Sequence, residues 1–356
     1  MVLAAVIHGK NDLRVEPIPR QSLAPDEVRV SVAYGGICGS DMHYYRHGAV
    51  GDFALREPMV LGHEISGVVI EVGSAVKGIV VGQKAALNPS RACRVCELCL
   101  AGRSNLCEHM RFLGSASRFP HVQGGFAQEL VLRSDQAIPV PPETDLLKLS
   151  CAEPLSVALH AVRRAGNLLG KRVLVTGCGP IGLLTVRAAV IAGAAEVVAT
   201  DIEDAPLNVA RRSMGAAITI DVATEPQGLA QFERAGRGHF EVALEASGSA
   251  AALNSLFPVI KRGGRIIQLG MLPRGATGLP VNLLQSREVE LVGSFRAHDE
   301  FAIATDMIVT GAIDVSAITS GTYSLSQAHA AFERAGDRSQ VVKLHLDIAD
   351  GARGCE

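Results

Sequence analysis

From residue 170 onward the chain alternates short apolar runs with helical segments, and this alternation constrains the fold more than any other feature. The run "KRVLVTGCG" is followed by "PIGLLTVRAAVIAGA" and "EVVATD", and later by "FEVALEASG" and "GGRIIQLGM". Apolar strands separated by helices are typical of a parallel sheet that is covered on both faces. The sequence therefore predicts an α/β fold with a doubly wound parallel sheet over residues 154–289.

A glycine-rich turn lies between the first of these strands and its helix. Gly177, Gly179 and Gly182 form a GxGxxG pattern. Gly177 allows the tight turn, Gly179 lets the backbone approach a pyrophosphate, and Gly182 lets helix and strand pack closely. Asp201 ends the next strand, where it would accept hydrogen bonds from the adenine ribose and repel a 2′-phosphate. The pattern predicts a site for NAD rather than NADP; the alternative is a glycine turn that binds nothing.

The first third of the chain has a different texture. Short alternating runs such as "EVRVSVAYGG" and "EISGVVIEVGSAV" are separated by Gly and Pro, which indicates short, mainly antiparallel strands. Pro141 and Pro142 end this region before a helical period begins near Pro154. The stretch from about residue 290 does not continue the strand–helix alternation. We therefore predict one domain of residues 1–153 and 290–356, interrupted in sequence by a second domain of residues 154–289.

Four cysteines stand close together in the stretch "CRVCELCLAGRSNLC", at residues Cys93, Cys96, Cys99 and Cys107. Four thiolates can close a tetrahedral site around zinc, and such a site stabilises a loop that has little core of its own. It leaves no position open for a substrate. We predict a structural zinc lobe at residues 90–110; two disulfides or a redox relay are the alternatives.

The overall composition excludes several classes of function. The formal net charge is −2, so nothing favours nucleic acid or an anionic membrane surface, and the cysteine lobe has few basic residues. The first apolar run meets Lys10 too early for a signal peptide, and no uninterrupted apolar stretch has spanning length. We expect a cytoplasmic protein that binds a small molecule, with no nucleic-acid or membrane partner. In that compartment, cysteines favour metal or redox chemistry over disulfides.

A second set of possible metal ligands is spread over three stretches. "GGICGSD" carries Cys38, "LGHEISG" carries His63 and Glu64, and "SCAEPLS" carries Glu153. A cysteine, a histidine and a carboxylate with an open fourth position form the pattern of a catalytic zinc site. Asp41 could orient His63 through its ring N–H. The alternative is a buried cysteine, a packed histidine and a surface carboxylate with no metal.

These motifs resemble a known family. "GGICGSDMHYY", "PMVLGHEISG", the four-cysteine lobe, "AEPLSVALHA" and "GCGPIG" stand in the order seen in the medium-chain zinc-dependent alcohol and polyol dehydrogenases. The motifs "CGSD", "GHE" and "AEPL" are similar to the polyol branch, which includes sorbitol dehydrogenase. The stretches "MRFLGSASRFPHVQGGF" and "VGSFRAHDEF" are more similar to dehydrogenases of the sugar acid L-idonate. The resemblance implies a GroES-like, mainly antiparallel catalytic domain, a Rossmann domain, and a homodimer or homotetramer.

The resemblance also implies roles at the metal and for the cofactor. Zinc would be held by Cys38, His63 and a carboxylate, Glu64 being the usual ligand, while Glu153 bonds water or substrate or exchanges into the coordination sphere. Ser40 would take the proton of the substrate hydroxyl, and the relay to solvent would run through His43. The implied cofactor contacts are Gly177, Gly179, Pro180, Ile181, Gly182, Asp201, Leu269, Gly270, Met271, Ser294, Phe295 and Arg296.

The substrate depends on charge, because a polyol is neutral whereas L-idonate carries a carboxylate that an arginine can bind in a fork. Tyr44 and Arg296 match substrate-contacting positions of the family, and Arg118 and His121 lie in the idonate-like stretch. Ala297 stands where sorbitol dehydrogenases place an aromatic residue, which weakens the case for plain sorbitol. Near Asp201, Pro206 and Leu207 replace a basic residue that often lies by the adenosine.

We therefore predict reversible NAD-linked oxidation of a secondary alcohol of a sugar acid or polyol, most specifically L-idonate. The enzyme would use two zinc ions per chain, one catalytic and one structural. Dehydrogenases of sorbitol, galactitol or threonine are the alternatives of the same class. An NAD-binding protein with structural zinc only is the non-enzymatic alternative.

Overall fold

A computed structural model describes residues 1–349, and it divides the chain into two compact units. The first unit contains Met1–Glu153 and Phe301–Asp337, together with the described residues from Lys343 onward. The second contains Pro154–Glu300 and Arg338–Val342. No helix among residues 1–349 is long and apolar enough to cross a membrane.

Short strands dominate the first 153 residues, as the alternating runs predict. The strands are β1 (Val2–Gly9), β2 (Asp12–Ile18), β3 (Glu27–Gly36), β4 (Ala49–Val50), β5 (Phe53–Ala54), β6 (Met59–Val60), β7 (Glu64–Val72), β8 (Lys84–Leu87), β9 (Ser90–Arg91), β10 (Arg111–Phe112), β11 (Glu129–Arg133) and β12 (Ala137–Pro139). The α-helices are α1 (Gly39–His47), α2 (Glu97–Leu100) and α3 (Leu146–Leu149), followed by α4 (Ala152–Ala165) at the boundary between the units.

Strands and helices then alternate up to residue 293, and the chain returns to the first unit at Phe301. The elements are β13 (Arg172–Thr176), α5 (Pro180–Ile191), β14 (Glu196–Asp201), α6 (Asp204–Val209), β15 (Ile218–Asp221), β16 (Phe240–Glu245), α7 (Ala250–Val259), β17 (Ile260–Gln268), α8 (Val281–Ser286) and β18 (Glu290–Gly293). The last elements are α9 (Glu300–Val309), β19 (Thr319–Ser324), α10 (Ala328–Ala335) and β20 (Lys343–Asp347).

The main sheet of the first unit is built around β3. Its strand order is β12-β8-β7-β3-β20-β19, and β11 also pairs with β3. β3 is antiparallel to both β7 and β20, so that Gly36 pairs with Glu64 on one side and with His345 on the other. This register brings residues of β3 and β7 to the same point of the sheet as residues of β20, the last described strand.

The sheet of the second unit is parallel, with the order β15-β14-β13-β16-β17-β18 among the described residues. β13 is buried from Val173 to Thr176, as expected for an apolar strand that is covered on both faces. The strand order reverses direction between β13 and β16. In sheets of this kind, ligands bind beyond the carboxyl ends of the strands at that reversal.

The second unit extends further along the sequence than residues 154–289. β18 runs parallel to β17, so residues Glu290–Gly293 complete the parallel sheet. Glu300 also belongs to this unit, where its carboxylate accepts hydrogen bonds from His160 at 3.1 Å and from Arg163 at 2.8 Å. The predicted boundary at residue 289 leaves this edge strand out of the sheet, because only four residues form it, next to a short helix, and they do not continue the longer strand–helix alternation.

Candidate active site

Asp41 ties together two chain segments of the first unit. The backbone amide of Cys38 donates to its carboxylate at 2.9 Å, and the amide of Gly62 donates at 3.2 Å. Burial raises the pKa of this fully enclosed carboxyl, although His63 and the two amides act in the opposite direction. Because Cys38 and Gly62 are bonded to one carboxylate, Asp41 fixes the Cys38 segment beside the segment that carries His63.

Cys38, His63 and Glu64 converge on one point. The thiol sulfur, an imidazole nitrogen and a carboxylate oxygen all lie within 4.8 Å of one another. The pairing of Gly36 with Glu64 explains the convergence, since Cys38 follows the end of β3 and His63 precedes the start of β7. Three mixed ligands that leave a fourth position for water or substrate form the pattern of catalytic zinc.

The electrostatics of this cluster suit a cation. Burial alone would lower the pKa of His63, but Asp41 and Cys38, together with Glu153, outweigh it and hold that pKa well above its ordinary value. The surroundings therefore favour positive charge, and the buried Nδ1 of His63 has no hydrogen-bond partner among the described residues. The preference for positive charge fits a zinc ion at this position, whereas Nδ1 lies on the side of the ring that faces Asp41.

The hydrogen bond predicted between the His63 ring and Asp41 is not formed. Nδ1 of His63 lies 3.7 Å from the nearer carboxylate oxygen of Asp41, which is too long for a hydrogen bond. The carboxylate is instead occupied by the amides of Cys38 and Gly62. Asp41 thus acts on the backbone of the ligand-bearing segments and on the ring only through its charge.

Glu153 lies close to the cluster without joining it. It stands in the first turn of α4, is buried, and contributes to the raised pKa of His63. Among residues 1–349, however, the converging ligand atoms belong to Cys38, His63 and Glu64 alone. The geometry favours Glu64 as the carboxylate ligand, with Glu153 as a neighbour.

Ser40, His43 and Tyr44 lie on α1, directly after Cys38. The hydroxyl of Ser40 is 3.4 Å from Nε2 of His63, so it borders the cluster. His43 is exposed, and its pKa is lowered by partial burial and by the charge of His47. It is therefore neutral at neutral pH and able to accept a proton. Tyr44 is buried, and its hydroxyl accepts a hydrogen bond from the amide of Ala116 at 2.9 Å.

Lys343 is a residue of this region that the sequence analysis did not single out. It begins β20, is completely buried, and forms an ion pair with the carboxylate of Glu64. Burial alone would lower its pKa, but the charges of Glu64 and Cys38 more than compensate and raise it. The available signal was a lysine inside the otherwise apolar alternation "VVKLHLDI".

The four cysteines of residues 90–110 form a separate cluster, with all four sulfurs within 4.8 Å of one another. The sulfurs of Cys93 and Cys99 are 4.0 Å apart, and those of Cys96 and Cys107 are 3.9 Å apart. Four sulfurs placed tetrahedrally about 2.3 Å from zinc would be about 3.8 Å apart. The described cysteines form no disulfide, so the arrangement fits a closed zinc site rather than two disulfides.

Backbone amides prepare these thiols for a metal. The amides of Val95 and Cys96 donate to the sulfur of Cys93 and lower its pKa to about 6. The amide of His109 donates to the sulfur of Cys107 at 3.3 Å. Burial raises the pKa of Cys99 to about 12, so this thiol needs a bound cation to ionise at neutral pH. Zinc binding to this lobe is thereby coupled to the loss of protons.

The glycine turn of the second unit has the geometry that dinucleotide binding requires. Gly177 has a φ of 85°, which favours glycine, and a Cβ on Gly182 would lie 1.7 Å from the carbonyl oxygen of Gly177. Gly179 is the N-cap of α5 and Pro180 is its first residue, so the free amides of that helix point toward the turn. Ile181 follows in the first turn of the same helix.

Asp201 lies at the carboxyl end of β14, beside this turn. Its carboxylate accepts hydrogen bonds from the amides of Cys178, Ile202 and Glu203. These bonds hold the carboxylate next to the glycine turn. They also place a fixed negative charge where the adenine ribose of a dinucleotide would lie in a sheet of this order.

The other predicted cofactor contacts follow the carboxyl ends of β17 and β18. The amides of Leu269 and Gly270 donate to the carbonyl of Glu245, and Met271 is exposed. The hydroxyl of Ser294 is buried without a hydrogen-bond partner in the described chain. The guanidinium carbon of Arg296 lies 4.8 Å from the centre of the Phe295 ring. All six residues therefore lie at the same edge of the sheet as the glycine turn.

Arg338 is a second residue that sequence reasoning missed. It is exposed, belongs to the second unit, and has a terminal nitrogen 3.4 Å from the position that a Cβ on Gly179 would occupy. Its positive charge therefore lies over the turn that would receive a pyrophosphate. Nothing in the local sequence marks it, because Gly179 and Arg338 are far apart in the chain.

Arg118 and His121 are occupied by the protein itself. The guanidinium of Arg118 donates to the backbone carbonyls of Met110 and Glu108. Buried His121 donates from Nδ1 to the carbonyl of Arg118 at 2.8 Å and accepts from the amide of Arg56 at 2.9 Å. These hydrogen bonds fasten one loop and argue against either side chain as the clamp for a substrate carboxylate.

Comparison with known families accounts for both units. The model of the alcohol dehydrogenase GroES-like domain matches residues 24–142, and the model of the zinc-binding dehydrogenase domain matches residues 180–310. The two matches confirm the predicted GroES-like and Rossmann-type fold. They also place the four-cysteine cluster within the first domain and part of the glycine turn within the second.

Two known proteins and one solved structure are similar to nearly the whole chain. L-idonate 5-dehydrogenase (NAD(P)(+)) of Escherichia coli K12 is 40% identical over 89% of this chain and 90% of its own length. Sorbitol dehydrogenase of Bacillus subtilis is 34% identical over 93% of both chains. A solved structure of L-idonate 5-dehydrogenase from E. coli K-12 superposes with a TM-score of 0.91 and 36% identity over 98% of each chain.

Proposed function

The chain belongs to the zinc-dependent alcohol and polyol dehydrogenases, and on this premise we propose that it oxidises a secondary alcohol of L-idonate reversibly, with NAD as the hydride acceptor. The observation that carries the proposal is the convergence of Cys38, His63 and Glu64 within 4.8 Å. It supplies an open metal site in a chain that also has a dinucleotide turn. A binding protein with structural zinc only would not need this second cluster.

The side chains around the open site have separate tasks. Cys38, His63 and Glu64 would hold zinc, which as a Lewis acid lowers the pKa of an alcohol oxygen bound to it. Ser40 borders the cluster and would accept the proton of the substrate hydroxyl. His43, exposed and neutral at neutral pH, would pass that proton to solvent. The four-cysteine cluster would hold the second zinc ion, which braces the lobe.

The second unit would bind the cofactor by its phosphates and its adenine ribose. The amides at the start of α5 and the guanidinium of Arg338 offer positive charge to the pyrophosphate. The carboxylate of Asp201 would repel the 2′-phosphate of NADP, which supports a preference for NAD. The name of the E. coli relative includes both cofactors. The preference is therefore to be measured as a ratio of kcat/KM values for NAD and NADP.

A sugar acid is the proposed substrate class because the relative with 40% identity is an L-idonate dehydrogenase. Its carboxylate needs a cation. Arg296 is the remaining candidate, since Arg118 is bonded to backbone carbonyls. The same occupation of Arg118 favours a second candidate function, oxidation of a neutral polyol such as sorbitol, the substrate named for the B. subtilis relative.

We further propose a homodimer or homotetramer, as the resemblance implies. β18 is an edge strand of the parallel sheet among the described residues, and an unpaired edge offers hydrogen bonds to another chain.

A screen of NAD reduction tests the substrate. Purified protein with two equivalents of zinc is assayed with L-idonate, sorbitol, galactitol and L-threonine, and the Cys38→Ser variant serves as the control for metal-dependent turnover. We expect the highest kcat/KM for L-idonate. Strong turnover of a neutral polyol without turnover of L-idonate would replace the sugar acid by the polyol. No turnover of any alcohol would contradict the dehydrogenase itself.

A further inference from the structure

The ion pair between Lys343 and Glu64 is enclosed by the first unit. The side chain of Lys343 is 0% exposed and that of Glu64 is 1% exposed. The ammonium group also lies 3.4 Å from the carbonyl oxygen of Ile37, to which it donates. Neither charge has access to bulk water. A pair of this kind is sensitive to any further charge nearby.

The backbone at Gly36 determines where the side chains of Lys343 and Glu64 lie. Gly36 of β3 lies between Glu64 of β7 and the residues of β20. A Cβ on Gly36 would lie 2.3 Å from a carboxylate oxygen of Glu64 and 2.9 Å from Cε of Lys343. The two side chains therefore fill the space that the missing side chain of Gly36 leaves open, which holds both in place.

Several acidic groups surround the pair. Asp41 and Glu153 are carboxylates of the same region as Glu64, and Cys38 is a thiol that binds zinc as a thiolate. The groups of opposite sign are the imidazole of His63 and the ammonium group of Lys343, and Lys343 contacts the Glu64 carboxylate directly. A zinc ion in the cluster would attract the same Glu64 carboxylate and would be repelled by the ammonium group of Lys343.

We propose that Lys343 is a positioning residue that competes with the catalytic zinc for Glu64. It thereby weakens zinc binding at the group of Cys38, His63 and Glu64, which we call the Cys38 cluster or open site. Without zinc, Lys343 neutralises the buried carboxylate. With zinc bound, the ammonium group would still attract the Glu64 carboxylate and would weaken the attraction between that carboxylate and the metal. The inference rests on the proposed catalytic zinc site, and it concerns metal affinity rather than the substrate.

A purely structural role would not require a charge here. Methionine has a similar shape and would fill the same space in an apolar core, without the cost of burying an ammonium group. Lysine at this position is explained by its carboxylate partner, which is itself one of the three converging ligands. The test must therefore separate the charge of Lys343 from its volume.

Zinc affinity, measured without substrate, separates the effect of the Lys343 charge from the effect of its volume. The variants Lys343→Met, which removes the charge and keeps the volume, and Lys343→Arg, which keeps the charge, are titrated with zinc against a chelator of known affinity. The four-cysteine site in the same chain is the internal control. Cobalt(II) in place of zinc distinguishes the two sites by their absorption bands.

We expect Lys343→Met to bind zinc at the Cys38 cluster at least about tenfold more tightly, because a repelling charge is lost and the carboxylate is freed. Lys343→Arg should stay within about threefold of the natural protein. The cobalt band of the Cys38 cluster should move in the methionine variant only, and the four-cysteine site should not change. Unchanged or weaker zinc binding in Lys343→Met would overturn the proposal.

If Lys343→Met does not fold, Lys343→Gln decides the question. Its amide can still donate to Glu64 in the absence of zinc, so the carboxylate keeps a partner. Tighter zinc binding by a few fold would support the competition, whereas equal or weaker binding would refute it. Zinc analysis of the unmutated protein comes before the variants. If that protein binds only one zinc ion, at the four cysteines, the proposed function itself is contradicted.

Discussion

The four-cysteine cluster takes its ligands from fifteen consecutive residues, whereas the Cys38 cluster takes its ligands from two segments and its counter-charge from a third. The first cluster uses four identical donors, and three of its cysteines are partly exposed. The second uses three different donors in a buried, charged surrounding. Both clusters belong to the first unit, so the difference is one of construction rather than of domain.

The different construction of the two clusters suits one to a structural role and the other to catalysis. A set of four thiolates saturates zinc, so the lobe supplies all of its metal ligands itself and leaves no position open for a substrate. The open cluster depends on the register of β3 with β7 and β20, on Asp41 and on Lys343. It can therefore be tuned by residues that never touch the metal, and it can be damaged by changes far away in the chain.

The largest expected effect is that of Cys38→Ser. We expect kcat/KM to fall by about 10³-fold or more, because a thiolate ligand is lost from the open site, while the melting temperature changes by only a few degrees. Steady-state kinetics with NAD and thermal unfolding by circular dichroism measure the two quantities. Cys151→Ser is the matched control, since this buried thiol belongs to neither cluster nor to the glycine turn. If Cys38→Ser retains full activity, Cys38 is not a ligand of the catalytic metal.

Cys99→Ser should show the opposite profile. We expect the lobe to lose its zinc and the free energy of unfolding to fall by about 3 kcal/mol, because this loop depends on the metal for its structure. Metal analysis should then find one zinc ion per chain, held at the Cys38 cluster. The protein that remains folded should retain activity. Loss of catalysis at unchanged stability would mean that the lobe is not merely a brace.

Asp41→Asn should affect only the open site. The amide side chain can accept one hydrogen bond well but cannot replace the charge that acts on His63, so we expect zinc affinity there to fall about 10-fold to 100-fold. The affinity of the four-cysteine cluster should not change, which chelator competition on the same sample can show. An equal loss at both sites would indicate general unfolding instead.

The smallest effect concerns the pH dependence of turnover. Partial burial and the charge of His47 lower the pKa of His43, and the relay needs His43 in its neutral form. Turnover in the direction of oxidation should therefore fall as the pH decreases through the pKa of His43. His47→Ala removes the repulsion and raises that pKa, so the acid limb of kcat/KM should move to higher pH by less than about one unit.

His43→Asn is the control for this assignment. It should lower turnover and remove the dependence of that limb on His47. If the acid limb of the profile does not move in His47→Ala and persists in His43→Asn, another group carries the proton.

The two clusters also differ in how far the sequence predicts them. The cysteine spacing alone predicts the closed cluster, because its ligands are neighbours in the chain. For the open cluster, the sequence indicates the residue types but not the choice between Glu64 and Glu153, which depends on the register of β3 with β7. The predicted bond between Asp41 and the His63 ring is not formed, since the carboxylate binds two backbone amides instead.

Contacts over long sequence distances explain what the sequence did not show. Lys343 meets Glu64 through the pairing of β20 with β3, and Arg338 lies near Gly179 within the second unit. Neither residue belongs to a motif. Arg118 is the reverse case: the sequence suggested it for a substrate carboxylate, but its guanidinium donates to backbone carbonyls of its own loop. Local sequence does not reveal which carbonyls a side chain will reach.

The position of Lys343 in β20 separates the counter-charge of the open site from its ligands in the order of synthesis. Lys343 follows Glu64 by 279 residues, so a ribosome that adds 5–20 residues per second makes the lysine on the order of tens of seconds after the glutamate. The four cysteines emerge together and can take up zinc at once. The ligands of the open site precede their buried counter-ion in synthesis, so under the proposed competition a chain that has not yet made β20 would lack the competing ammonium group.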